Sequence, residues 1–526
     1  MPGRPKEAVV RRMRVAQGLE PADLVVRGAV VVNVYTGELH PDSVIATSGD
    51  RIAYVGPPIQ GLTGENTQVL DAKGRYAIPG LIDGHTHLLG ARYCPEEALP
   101  RILASGTTSV VTELAEPASV VGLAGIRAGM EAVRDQPVKV FVTLPPLACA
   151  ASFMEDVALE LEGVPGAPAA PRSRGTRGGV LGEPRAAGGP ADPGPCVTAL
   201  EAGKVVEGHG AGARGGRLSA YAAAGITSCH EPITPEEVLE RLRMGYHTMV
   251  REGKVRQEME AVASEWRESG VDLRRLCLVT DSVAADQLLE LGYMDHLLRK
   301  AIRLGMDPVR AVQAVTLNVA EHSRLDHLIG GLAPGRYADL VLTPDLRDFR
   351  AEVVVANGRV VAEDGKVLVS FRPPRYLEAL CRTVPPACLV SPDALRVPAP
   401  GRKGSVRVRT GGYATTMAWD AHCLVAVGCS PENTALAIRL AVALGGGCAV
   451  VSRGEIRAEL PAPVAGVVST LPLEEVARRE RAVDQVLREL GAGSPRPSLT
   501  VDVLTATAIP HFKISAGTSG CGTEAW

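Results

Sequence analysis

The sequence predicts an α/β protein built around a parallel (β/α)8 barrel, with a small split β-domain flanking it and a separate α/β domain at the C-terminus. Three observations lead there. Between 79 and 325, short apolar runs alternate with helical patterns, the order that a parallel barrel requires. Two β-rich stretches of similar texture, 24–56 and 338–369, flank that alternation. From about 371 the chain turns proline-rich, and a fresh strand–helix–strand order follows. The expected division is therefore 1–78 and 326–372 for the two parts of a β-sandwich, 79–325 for the barrel, and 373–526 for the last domain. The 526 residues suffice for about three domains.

Taken in order, 24–56 reads as β-branched runs broken by Gly, Asn and Asp, a hairpin texture. Thr108–Thr112, Lys139–Thr143 and Leu276–Thr280 read as buried strands. Pro235–Glu252 has a helical pattern, with Val238, Leu239, Leu242 and Met249 on one face. Residues 163–195 hold 16 Gly or Pro in 33 positions and read as a flexible loop or insertion. In 338–369, Asn357-Gly358 sits between two apolar runs, a strong hairpin signal. In the last domain, Ala421–Val427 and Cys448–Val451 read as strands around a helix at Asn433–Leu444.

Composition narrows the function. Lys and Arg total 56 against 59 for Asp and Glu, a net charge of -3. That balance argues against a nucleic-acid partner and against electrostatic attachment to a membrane. No run has the length and apolarity of a membrane span. The basic start of the chain lacks a following apolar segment, so no signal peptide is expected. Eleven scattered cysteines without a CxxC pair suit free thiols in a cytoplasmic setting. Aromatic residues are only 3% of the chain, so few rings are available to stack on a ligand; Trp419 and Tyr221 are the ones near motif residues.

The sharpest motif is Pro79-Gly-Leu-Ile-Asp-Gly-His85-Thr-His87-Leu. Strand alternation puts both imidazoles on one side, as two ligands of one metal need. Downstream, Glu116, Glu183, His209, His230-Glu231 and Asp281 mostly follow apolar runs. Singly, each reads as well as a surface or capping residue. Together they converge on one face if their strands close a barrel. His40, His247, His322 and His327 read as surface or capping residues.

These motifs resemble the amidohydrolase superfamily, and within it the adenine deaminase family. "PGLIDGHTH" is similar to its first metal motif. "VEGHGAGARGGRLSAYAAAGITSCHE" resembles the segment carrying two further histidines and a Glu. "MVREG", "TLNVAEH" and "GGLAPGRYADLVLTPDLRDF" resemble later blocks, and 432–469 resembles the family's C-terminal domain. The resemblance implies a metal-dependent hydrolase barrel with a binuclear divalent centre of iron, manganese or zinc. Its ligands would be His85, His87, Glu183, His209, His230 and Asp281. It implies a small-molecule substrate, adenine or a related heterocycle; a homo-oligomer is compatible with the sequence, which does not fix the oligomeric state. Metal lowers the pKa of bound water, and water would add at C6 of adenine, releasing hypoxanthine and ammonia. Asp281 would take the water proton, and Glu231 would help protonate N1 or the leaving nitrogen.

The chain departs from the family around the implied pocket. Ile-Glu-Ser-Ser after the first motif is here Leu88-Leu89-Gly90-Ala91. Asp-Pro-His-Glu is Glu113-Leu114-Ala115-Glu116, and Thr-Asp-Asp is Thr280-Asp281-Ser282. His-Asp-Ser-His-Asn is Trp419-Asp420-Ala421-His422-Cys423. Glu116, Asp420 and His422 remain as candidate substrate contacts. Two other readings stay open: an amidohydrolase acting on another cyclic amine or amide, and a non-catalytic member that kept the fold.

Overall fold

The computed structural model describes residues 5–144, 173–177, 194–373, 380–381, 383–384, 390–395, 410–419, 423–505, 512–517 and 520–525. After an N-terminal helix, Pro5–Ala16, come β1 (Leu24–Asn33), β2 (Glu38–Ser48), β3 (Arg51–Gly56), β4 (Gln68–Asp71) and β5 (Tyr76–Pro79). Strands β1, β2 and β3 pair antiparallel in sequence, while β4 and β5 lie parallel to β1. Successive buried residues of β1 and β2 face opposite sides of the sheet. Leu24, Val26 and Ile45 join one apolar cluster, and Val25, Val44 and Ala46 another, as the period-2 geometry of a strand dictates.

The barrel follows at once. Its strands are β6 (Leu81–Thr86), β7 (Thr107–Glu113), β8 (Lys139–Leu144), β9 (Ser173–Arg177), β10 (Val205–Glu207), β11 (Ser228–Cys229), β12 (His247–Arg251) and β13 (Leu276–Val279). They pair parallel in chain order from β6 to β10 and from β11 to β13. A parallel bridge between Val206 and Ile226 joins the two runs. The ring closes where the Asp281 N–H donates to the His85 carbonyl at 3.0 Å. Ile82, Val111, Phe141, Met249, Cys277 and Val279 fill the interior.

The helix expected over Pro235–Glu252 is two elements. It stops at Arg243, and Met249 belongs to β12. Thr234 caps its start through a bond from the Glu237 N–H. Gly245, at φ 83°, turns the chain out of the helix. Beyond it, Thr248-Met249-Val250 is buried on both faces, so its apolar run imitates a helical stripe.

Past the barrel, β14 (Leu340–Thr343), β15 (Val353–Ala356), β16 (Arg359–Glu363) and β17 (Lys366–Val367) return to the first sheet. Strand β14 pairs antiparallel with β5, and the whole becomes one nine-stranded sheet. Asn357 and Gly358 take φ of 52° and 74°, the positive pair that a tight hairpin needs.

The last domain has β18 (Gly412–Thr415), β19 (Val425–Gly428), β20 (Gly447–Ser452) and β21 (Glu455–Pro461) in the order β19-β18-β20-β21. Helices Pro431–Ala443 and Leu473–Glu489 pack on this sheet. A hairpin, β22 (Phe512–Gly517) with β23 (Gly520–Ala525), ends the described chain. The domain docks on the loop after β6. The Ser469 N–H donates to the Arg92 carbonyl, and buried Arg92 pairs with Glu480 at 3.1 Å and with Asp502. No described helix is long and apolar enough to cross a membrane.

Candidate metal centre

Six of the seven expected site residues that fall within the described chain gather at the C-terminal ends of the barrel strands, in two adjoining groups. The first is His85, His87 and Asp281. The two histidines sit two apart at the end of β6, and both face Asp281 Oδ1 at 3.4 Å through Nε2. All three are buried. Burial alone would raise the Asp281 carboxyl, but the adjacent His85 and His87 imidazoles, with the charges of His230 and Arg251, hold it well below the usual carboxylate range.

Local backbone makes this placement. Asp281 and Ser282 have φ of 50° and 83°, left-handed conformations that cost about 1–3 kcal/mol each for such residues. Gly253 supports the turn, because a Cβ there would lie 2.0 Å from the Thr280 carbonyl oxygen. Beneath, buried Asp83 accepts from the Thr280 hydroxyl at 2.5 Å and from the His85 N–H at 3.2 Å, tying β6 to β13.

The second group is His209, His230 and Glu231. His209 Nδ1 lies 3.0 Å from both His230 Nε2 and Glu231 Oε1. The loop carrying His209 is held by fully buried Arg241, which donates to the Gly210 and Ala213 carbonyls. The His85 and His230 rings stack with centroids 4.0 Å apart, so the groups share a boundary.

The donors suit divalent cations. Each group offers three nitrogen or oxygen ligand atoms within 4.8 Å of one another. The His85 Nε2 is buried with no hydrogen-bond partner among the described residues, a costly state that a metal would relieve.

Glu116, the expected substrate contact, lies against the first group. Its Oε1 lies 2.6 Å from His87 Nδ1, the carboxylate–histidine pairing that orients a metal ligand. The altered loop explains the fit: a Cβ on Gly90 would stand 2.3 Å from that same oxygen. Glu113, fully buried at the end of β7, approaches His87 Nε2 at 4.0 Å. Glu183, Asp420 and His422 lie outside the described residues.

Sequence reasoning missed Arg251. Its guanidinium, buried at the end of β12, bonds Asp281 at 3.1 Å, Glu258 at 3.0 Å and Glu231 at 3.2 Å. It links the two groups, and the "MVREG" block was the available signal. Burial pushes Glu258 up to about 7 against the pull of Arg251. His322 is a correction too. It is buried rather than at the surface, with Nε2 2.9 Å from Glu207 Oε1, because Glu207 needs a buried partner beneath the centre. Tyr221 packs in the core with Leu218 and Ile226, while the Trp419 ring stands 5.5 Å from His87.

Comparison with known proteins identifies the family. Residues 76–361 match the model of the amidohydrolase family, and 403–518 that of the adenine deaminase C-terminal domain. The chain is 34% identical to an adenine deaminase of Moorella thermoacetica, covering 97% of this chain and 96% of that one. It is also 34% identical to an adenine deaminase of Rubrobacter xylanophilus, covering 95% and 93%. Among solved structures, a beta-aspartyl dipeptidase from Fervidobacterium islandicum AW-1 is similar at 17% identity and TM-score 0.49, over 66% of this chain and 99% of that one. With a family model over more than half its length and full-length relatives above 30% identity, the chain belongs to the adenine deaminase family of the amidohydrolases.

Proposed function

We propose that the chain hydrolyses adenine to hypoxanthine and ammonia at a binuclear centre, one divalent cation held by His85, His87 and Asp281 and the other by His209 and His230. Glu183 joins as a further ligand on the strength of its sequence position, and Glu231 borders the second cation. Manganese or iron suits this mixed imidazole and carboxylate set, with zinc as the third choice. When bound, such cations activate water at neutral pH. Asp281, ionised and steadied by Arg251, accepts the water proton as the new C6–O bond forms. Glu231 passes a proton toward N1 or the departing nitrogen, and the C6–N bond breaks with release of ammonia. Glu116 keeps His87 presenting Nε2. The setting is cytoplasmic, consistent with eight described cysteines that are all free thiols.

The observation that carries this reading is the stack of His85 on His230, which brings the two donor groups together at the mouth of the barrel. The test is ammonia release from adenine, adenosine, cytosine and guanine by the manganese- or iron-loaded chain. Release from adenine is expected. No ammonia from adenine with a fully loaded centre would overturn the assignment, and release from another ring would favour a different cyclic amine. That second reading draws on Gly90 and Glu116, where the pocket loop differs from the family pattern.

A further inference from the structure

Lys254 lies three residues past the end of β12, and its backbone N–H donates to the Ser282 carbonyl at 2.8 Å, which fixes it beside the Asp281 turn. The residue is only 7% exposed. Its Nζ makes no hydrogen bond or ion pair among the described residues. It faces the Trp419 ring at 5.7 Å, and that ring also stands 5.5 Å from His87. The charged groups acting on the ammonium are Arg92, Glu480, Arg496 and Glu116. Both acids are already engaged, Glu480 with Arg92 at 3.1 Å and Glu116 with His87 at 2.6 Å. Burial, with Arg92 adding, pushes the Lys254 ammonium down to about 7. A buried amine with no carboxylate of its own is costly to fold, and such groups concentrate where a ligand supplies the missing acceptor.

We propose that Lys254 is a substrate-contacting residue, its ammonium donating a hydrogen bond to a ring nitrogen of a planar heterocycle lying against Trp419. The inference rests on the purine reading above. Lys254 makes no hydrogen bond or ion pair with a candidate metal ligand among the described residues, so the acceptor is a ring nitrogen remote from C6, and N3 of adenine fills that role. The indole supplies an apolar face for the base and a π-face for the cation.

The test compares the metal-loaded wild type with Lys254→Met and Lys254→Arg, using adenine as substrate and 3-deazaadenine as competitor. A lost bond from a charged donor should raise KM for adenine about 10- to 100-fold in Lys254→Met. Metal content should be unchanged and kcat within about threefold, because the bond positions the ring without joining the chemistry. Lys254→Arg should recover part of the loss. 3-Deazaadenine, lacking the acceptor, should bind wild type and Lys254→Met alike. A lysine with no ligand role predicts the opposite pattern: KM for adenine unmoved in Lys254→Met. Unchanged KM, or equal loss for both ligands, overturns the inference. A wild type that leaves adenine intact overturns the substrate reading along with it. Turnover by wild type with KM preserved in Lys254→Met overturns this inference alone.

Discussion

Asp281 is held by three different forces, and each is local. Its backbone N–H closes the barrel onto His85, its Oδ1 faces two imidazoles, and its Oδ2 takes a bond from Arg251. Asn tolerates the same left-handed backbone, so Asp281→Asn should still fold and lose nearly all ammonia release. Retained turnover in a fully metallated variant would remove Asp281 from its role as base. Glu116→Gln probes the neighbouring bond to His87 Nδ1. Loss of such an outer carboxylate typically weakens metal affinity about 10- to 100-fold, which a competitive chelator titration would read directly. His85, His87, His209, His230 and Asp281 were legible in the sequence because each ends an apolar run. The position of Glu116 was not, since it depends on the space that Gly90 leaves across the loop.

At the scale of elements, the strand ends β11, β12 and β13 are coupled through one buried guanidinium. Removing a single partner from a buried ionic cluster costs about 3–5 kcal/mol, so Arg251→Met should lower the unfolding free energy by that order in a denaturant titration. Loss of less than about 1 kcal/mol would mean the cluster is better solvated than its burial implies. Glu258 adds a pH signature. Its folded pKa is raised to about 7 from an ordinary 4.5, so its cost is present above pH 7 and fades as pH falls through 7 toward 4.5. Glu258→Gln should therefore raise the melting temperature at pH 8 by more than at pH 4.5. The misplaced helix over Pro235–Glu252 shows where periodicity stops being informative. Met249 continued the apolar spacing, yet Gly245 had already ended the helix and Thr248–Val250 were a strand buried on both faces.

For the whole molecule, the last domain is seated on the loop that leaves the first metal motif. Arg92 is 3% exposed and pairs with Glu480 and Asp502 from that domain, while the Tyr93 hydroxyl reaches the Val283 carbonyl at 2.9 Å. Arg92→Met should leave those acids uncompensated and turn one thermal transition into two, the earlier belonging to the last domain. A single transition at the wild-type temperature would show that the interface does not depend on this residue. The barrel and the split sheet were readable because strand and helix patterns alternate locally. The docking was not readable, since Arg92 and Glu480 are 388 positions apart and neither pattern hints at the other. The central claim is that this mouth holds a metal pair. Elemental analysis of the chain after reconstitution with manganese or iron measures it most directly. The account predicts about two ions per chain, one for each donor group, falling to about one in a His209→Ala/His230→Ala variant that stays folded. A folded chain that takes up no metal under those conditions would contradict it.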